Sequence, residues 1–445
     1  MQIKKFTCNG KHKSKEEEKL CPICSRRKTK FNFKNTKISN NNEINKINNK
    51  INIDNNEIIN NEINNNNSNN YINNYNISNG INGSTPSVFV GKYGYPNVQL
   101  GFMSLSNHND NAKIYDDPNQ WGKYSFSSKK ILNLRNSLIY SHFISSSNEN
   151  SRYIDIIKRV AMSKKQIDLD IKFLQKPIIK FNFDKINTVI GPRAKLQTVK
   201  ETTNANIPIH IDKVNSQEDL KTIDAISYLK KHNYNENYIS KILSVGILGE
   251  KNQRKIVPTK WSITATDDML SKENINKIKN FKNSNIQSYF GNYLNNYYII
   301  LFMGENWSYE LFESTISKNN NEIFFSSDFE YYNGRKSYVN NTAGAYYSIR
   351  LSITEKLLKL KRQSNVFVFR IITPEYKTPL GVWVTREGVR KTLEQKAIEF
   401  SDINLMKIYM EKLIKKKFGF NIEKIFKESK LLNIKQTTLG DFQKN

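Results

Sequence analysis

The chain has 445 residues, enough for roughly two to three domains at ~100–200 residues each. With 38% hydrophobic and 11% aromatic residues it holds material for a sizeable core, which excludes wholesale disorder. Its formal charge of +28 calls for a polyanionic partner, and nucleic acid is the usual one.

The opening Met-Gln-Ile-Lys-Lys runs straight into polar residues and lacks the apolar segment of a signal peptide. All three cysteines fall within the first 24 residues, which excludes a secreted disulfide scaffold. Cys8, His12, Cys21 and Cys24 are spaced C-x3-H-x8-C-x2-C. The C-x2-C turn lets two thiolates reach one Zn²⁺ at ~2.3 Å, and Cys8 with His12 complete a tetrahedron around Gly10. Four ligands with no open position make a structural site. Two unrelated pairs of reduced side chains are the alternative. Residues 1–34 thus read as a zinc-binding module closing on the basic run Arg26-Arg27-Lys28.

Residues 35–84 follow, and between Asn40 and Asn82, 22 of 43 residues are Asn. Such a tract cannot bury enough apolar surface to offset its ordering entropy, so a disordered insertion is expected.

Residues 85–285 and 286–430 make the two parts of a core of ordinary complexity. Ser87–Val90 and Val98–Met103 predict a hairpin across Gly94-Tyr95-Pro96. Ile178–Phe183 is a further strand candidate before Gly191-Pro192. Ser216 with Asp219 marks a helix start, followed by Leu220, Ile223, Ile226 and Leu229. Ile239, Ile242 and Leu243 mark a second helix, stopping at Gly246. Tyr297–Met303 and Val366–Ile372 are continuous apolar runs of buried-strand length, and the former, the longest, is too short to span a membrane. Between them Tyr346, Ile349, Ile353, Leu357 and Leu360 share a helical stripe. Leu405, Ile408, Tyr409 and Leu413 predict a C-terminal amphipathic helix. Strands and helices mix without strict alternation, so the fold class is α+β, or mixed α/β.

Of the 69 basic residues, 56 are Lys and 13 are Arg. Lys, Asn and Ile rising together is also what an AT-rich coding sequence produces, so part of the charge is a solvated lysine surface. The arginines, planar and bidentate, weigh more. Arg254, Lys255, Lys260 and Trp261 precede the paired carboxylates Asp267 and Asp268. Basic residues beside an aromatic suit phosphate contact with base stacking, and paired carboxylates suit Mg²⁺ or general-base work. A charged loop beside a packed Trp fits the same spacing. Arg193, in Gly191-Pro192-Arg193-Ala194-Lys195, marks a second basic turn. Glu330, Arg335, Arg350, Arg370 and Glu375 form either a buried polar centre or separate ion pairs.

In the tail, residues 431–445, Gln436, Leu439 and Phe442 recur every third position. Side chains three apart eclipse on a 3₁₀ turn, so all three project from one face. This is the Q-x-x-L-x-x-F form of the PCNA-interacting peptide, with Gln in a polar pocket and Leu and Phe in an apolar one. Gln443 stands where a second aromatic is usual. A chance match is the alternative.

Taken together the chain resembles the archaeal Nre, or novel repair, proteins. The matching stretches are Pro86–Gly91 with Tyr95-Pro96, Lys176-Pro177, Gly191-Pro192, and Ile256–Ala265 followed by Asp267-Asp268. Later ones are Gly344–Tyr347 with Arg350, Pro374–Tyr376, and Pro379–Trp383. The resemblance implies a zinc-binding N-terminus, a C-terminal clamp-binding motif and a part in DNA repair. The expectation is therefore a cytoplasmic, nucleoid-associated DNA repair protein that binds DNA and PCNA, with no membrane. The rivals are an enzyme acting on nucleic acid at damaged DNA, and an RNA-binding or scaffold protein. No Walker loop, helicase motif or G-x-G-x-x-G fingerprint supports an ATPase or dinucleotide enzyme. If the N-terminal cluster holds Zn²⁺, the purified protein carries about one equivalent of zinc and Cys21→Ser releases it. A metal-free wild-type protein that cannot be reconstituted contradicts this.

Overall fold

In the computed structural model, which describes residues 2–5, 79–178, 186–316 and 322–433, the chain builds two mixed sheets and eleven helices, an α+β architecture. Cys8, His12, Cys21, Cys24, Gln436, Leu439 and Phe442 lie outside the described residues, as do most of 35–84 and most of the Ile178–Phe183 candidate. Among the described residues no helix is long and apolar enough to cross a membrane.

The first strand, β1 (Gln2–Lys5), joins the C-terminal sheet by parallel pairing at its edge. The N-terminal sheet comprises β2 (Gly80–Thr85), β3 (Ser87–Val90), β4 (Asn97–Ser104), β5 (Ile139–Ser146), β6 (Ile167–Phe173) and β7 (Arg193–Glu201). Their spatial order is β2-β6-β7-β5-β4-β3. The expected β3–β4 hairpin forms, with Val88 opposite Phe102. Helices α1 (Pro118–Lys123), α2 (Ser128–Asn136) and α3 (Arg152–Met162) lie between these strands in sequence. After β7 come α4 (Ile209–Ser216), α5 (Thr222–Lys231), α6 (Glu236–Ser244) and the long α7 (Thr259–Ile278). Leu100, Phe102, Leu169 and Ile171 share one core with Ile157 of α3, Leu229 of α5 and Ile242 of α6.

The C-terminal sheet adds β8 (Gln287–Tyr293), β9 (Asn296–Phe302), β10 (Ser308–Ile316), β11 (Glu322–Glu330), β12 (Asn365–Ile372) and β13 (Ile398–Glu399). Its order is β1-β11-β10-β12-β9-β8-β13. Helices α8 (Ala343–Leu360) and α9 (Trp383–Glu394) lie on one side, α10 (Ile403–Phe418) and α11 (Glu423–Glu428) on the other. Along β12, Val366 and Val368 meet Ile349, Ile353 and Leu357 of α8. Phe367, Phe369 and Ile371 meet Met406, Met410 and Ile414 of α10. A strand covered on both faces has no polar side, which is why β9 and β12 read as continuous apolar runs.

Four expectations need correction. Strand β2 takes in residues 80–84, assigned by composition to the Asn-rich segment; Ile81 is buried in the core and Ser84 donates to Asp168. Ser216 ends α4, and α5 starts only at Thr222, after Lys221, whose side chain makes no capping bond. Helix α10 buries Met406, Met410 and Ile414 and leaves Leu405 and Ile408 half exposed, because two apolar stripes overlap there and the sheet's aromatics take the methionine one. The tail's first residues are packed: Leu431 and Leu432 are buried among the α10 and α11 side chains. The expected stop of α6 at Gly246 holds. Its φ is +74°, and a Cβ there would meet the Lys255 carbonyl oxygen at 2.9 Å.

Glu310 of β10 anchors the segment after α11. Its buried carboxylate accepts from the Ser429 hydroxyl at 2.6 Å and from the amides of Lys430 and Leu431 at 3.0 and 3.1 Å. Glu310→Ala orphans these donors and lowers unfolding free energy by ~2–3 kcal/mol in urea titration. An unchanged midpoint and slope contradict this.

Candidate functional site

Five of the eight buried residues of α7 are polar, Ser262, Thr264, Thr266, Asp267 and Ser271, so hydrogen bonds and ion pairs, not an apolar stripe, must hold it. The helix packs against α5, α6 and α8, and so lies between the two halves of the molecule. Its first turn is fastened from two sides. The Val90 amide donates to Thr259 Oγ1 at 3.0 Å, and the Ser244 hydroxyl of α6 donates to the Val257 carbonyl at 2.8 Å. The first tie draws the β3–β4 turn onto α7, where Tyr95 meets Trp261 at 5.0 Å between ring centroids. Both rings remain open to solvent, Trp261 45% and Tyr95 38% exposed.

The inner side carries charge. Asp267 accepts from Arg386 Nη2 of α9 through both oxygens, at 2.8 and 2.6 Å. Arg386 also approaches Glu236 of α6 at 3.6 Å, and Glu236 accepts from Arg390 Nη1 at 2.9 Å. Arg390 reaches on to Glu355 of α8 at 3.0 Å and Glu387 at 2.6 Å. Burial pushes the Asp267 carboxyl up to about 6, against the pull of Arg386. Burial acts the same way on Glu236, but Arg390, Arg386 and Lys230 hold it well below the usual carboxylate range. One residue on, Asp268 pairs with Arg350 of α8 and, at 2.7 Å, with Lys272. Arg350 continues to Glu330 at 2.6 Å and to the Ser271 hydroxyl at 3.0 Å.

A cavity of about 70 Å³ opens beside this network. Arg135, Lys241, Asp116, Asn237, Thr259 and Arg386 are among its walls. Asp116 ties Arg135 at 2.5 Å and Lys241 at 3.7 Å, and the buried Nε of Arg386 has no hydrogen-bond partner. Burial, then the nearby charge of Lys241, pushes Lys113 down to about 7.

The sequence-derived site residues separate accordingly. Lys260 and Trp261 share the first turn of α7. Asp267 and Asp268 face different arginines and do not converge on one point. Among the described residues no group of three or more His, Cys, Asp or Glu side chains comes together to hold a metal ion. Arg254 is turned inward, donating to the carbonyls of Gly249, Asn215, Val214 and Gln217, so it braces the loop rather than presenting a charge. Lys255 is exposed. Arg193 lies over the Tyr140 ring on the N-terminal sheet, and its Nε has no partner. Glu330 and Arg350 pair, while Arg370 pairs separately with Glu313 and Asn296. Sequence reasoning missed Arg386, Arg390 and Glu236. The scarcity of Arg was the available signal, with two of thirteen falling in α9.

Fold and site together define an α+β protein whose two sheets meet through a polar helix. The chain belongs to the archaeal Nre family: the region described as Archaeal Nre, N-terminal, matches residues 59–319, and Archaeal Nre, C-terminal, matches 330–442. It is 33% identical over 325 residues to DNA repair protein NreB of Archaeoglobus fulgidus, covering 72% of this chain and 81% of that protein. It is 30% identical over 325 residues to DNA repair protein NreA of Haloferax volcanii, covering 70% and 77%. No solved structure matches the chain. The two family regions share one sheet, since β12 of the second inserts between β10 and β9 of the first. The stretches that carried the resemblance converge as well. Val88, Phe89, Thr259, Ile263, Val382 and Trp383 all line the cavity.

Arg386→Met strands Asp267 in the interior and costs ~3–5 kcal/mol of stability, while adding Asp267→Asn restores part of it. Glu236 is depressed, so its stabilisation is present above the unfolded Glu value of ~4.3 and disappears as pH falls below it. The stability gap between wild type and Glu236→Gln, measured by denaturant titration, therefore narrows in acid. A gap independent of pH, or an Arg386→Met protein as stable as wild type, contradicts the network.

Proposed function

We propose that this chain is a DNA repair factor, brought to the replication sliding clamp by its C-terminal peptide, that contacts DNA through the first turn of α7. The repair role is supported by the names of its relatives. The observation that carries DNA contact is the exposed Tyr95–Trp261 pair beside Lys260, in a chain of charge +28. Exposed rings next to ammonium groups stack bases while the charge meets phosphate. Cys8, His12, Cys21 and Cys24 hold structural Zn²⁺ in this reading. The paired carboxylates that favoured an enzyme each face an arginine, so the binding reading is preferred.

Clamp recruitment rests on Gln436, Leu439 and Phe442, which follow within a few residues of Leu431 and Leu432, held by Glu310 and Lys407. On the clamp these three form one 3₁₀ turn. Leu439 and Phe442 fill desolvated pockets, and truncating either to Ala costs ~2 kcal/mol or more of binding. Gln436→Ala loses one hydrogen bond, ~1 kcal/mol. Calorimetric titration of the same organism's clamp with wild-type and Phe442→Ala peptides decides the matter; equal affinities would sink clamp recruitment.

A further inference from the structure

We propose that the outward face of α7, with the β3–β4 turn and the loop at residues 331–338, is a track for single-stranded DNA. The inference rests on the DNA-contact reading above and names the form of DNA it takes. Tyr93, Tyr95, Trp261, Tyr331, Tyr332 and Tyr338 are all exposed, and all lie on this face or on the two segments bordering it. Large rings are usually buried, and a row of them in solvent marks a contact surface.

Three contacts tie the rings to successive levels of α7. Tyr95 meets Trp261 on the first turn. The Tyr338 hydroxyl meets that of Thr264 one turn later, and its ring packs on Tyr347 of α8 at 5.1 Å. At the far end the Lys279 ammonium sits 4.2 Å from the centre of the Tyr332 ring. Residues 261, 265, 268, 272, 276 and 279 recur every three or four positions, so they share one helical face. Eighteen rises of 1.5 Å from residue 261 to 279 make this face ~27 Å long.

Lys92, over the Tyr93 ring at 4.9 Å, and Lys272 and Lys279 supply positive charge on this face, with Lys260 at the start of the helix. The opposing carboxylate on this face is Asp268, held by Arg350 and Lys272. Positive charge therefore exceeds negative. The 331–338 loop is pinned just beyond its end, where the amides of Asn341 and Thr342 donate to the buried Asp328 carboxylate at 3.1 and 2.7 Å. Its rings are therefore positioned before any ligand arrives.

Duplex DNA hides its base faces in the stack, whereas unpaired bases offer them to rings of this kind. Duplex readout favours arginine in the grooves. Here Arg135, Arg350, Arg370, Arg386 and Arg390 are committed to internal carboxylates. A stacked strand rises 3.4 Å per nucleotide, so ~27 Å spans about eight nucleotides at most.

The test is fluorescence anisotropy on the full chain with labelled oligo(dT) of about twelve nucleotides, the corresponding oligo(rU), and a duplex of equal length. Oligo(dT) binds at least about tenfold tighter than duplex, and Trp261→Ala, Tyr338→Ala and Tyr332→Ala each weaken it about tenfold. Tyr124→Ala, an exposed tyrosine at the end of α1, leaves affinity unchanged. Melting temperatures of all four variants match wild type, which separates lost contact from lost fold. If wild type binds DNA and the three track variants bind oligo(dT) as well as it does, the track is wrong and DNA contact stands. If wild type binds neither form of DNA, both fall. Tighter binding of oligo(rU) than oligo(dT) overturns the assignment to DNA.

Discussion

Asp267 sits without solvent contact on a helix that touches both halves of the molecule, and its charge is tolerated because Arg386 donates two hydrogen bonds to it. Removing a carboxylate from water costs several kcal/mol, so such a charge persists only where its partners are complete. Arg386 does not serve Asp267 alone. It shares Glu236 with Arg390, and Arg390 extends the chain of charges to Glu355 and Glu387. The network therefore fixes α6, α7, α8 and α9 against one another. Its net contribution to stability is modest by the usual balance of desolvation and attraction, but any shift of one helix would strand a buried charge. That penalty sets the relative register of elements far apart in sequence.

This constraint explains why α7 can present a polar, aromatic outer face. A surface helix is ordinarily held by an apolar stripe, and α7 substitutes charge pairs and hydroxyl bonds for it. The side left over is free to carry Trp261 and the lysines. The same division runs through the basic residues. Buried arginines use their planar fork on carboxylates inside, while lysines, compact and strongly hydrated, carry the surface charge. The arginines that resisted compositional drift are thus informative about architecture, and the surface charge belongs to lysine.

Local patterns revealed what local forces determine. Strands β9 and β12 were legible because burial on both faces leaves an unbroken apolar run, and the β3–β4 hairpin because its turn residues sit between two such runs. Helix α7 was not, because the partner that stabilises Asp267 lies 119 residues away and Arg350 lies 82 residues from Asp268. Neither spacing leaves a mark on a short window, so a charged loop fitted the segment as well as a binding or catalytic cluster did. Arg254 looked available for phosphate for a related reason: backbone carbonyls bind a guanidinium as well as a phosphate does, and they are invisible in a side-chain pattern. Trp261 and Lys260 stood out because aromatic and basic neighbours are themselves a local signal. Tyr332 and Tyr338 did not stand out, because their place beside α7 is set by the anchor at Asp328.

The central claim, that DNA meets the outer face of α7, can be read from one tryptophan. Of the four in the chain, Trp121, Trp307 and Trp383 are buried and Trp261 is exposed. Acrylamide quenching therefore reports chiefly on Trp261. Adding saturating oligo(dT) to the full chain should shield the exposed component and shift its emission, and the change should be absent in Trp261→Phe. Emission and quenching unaltered by an oligonucleotide that anisotropy shows to be bound would place the DNA elsewhere and contradict the account.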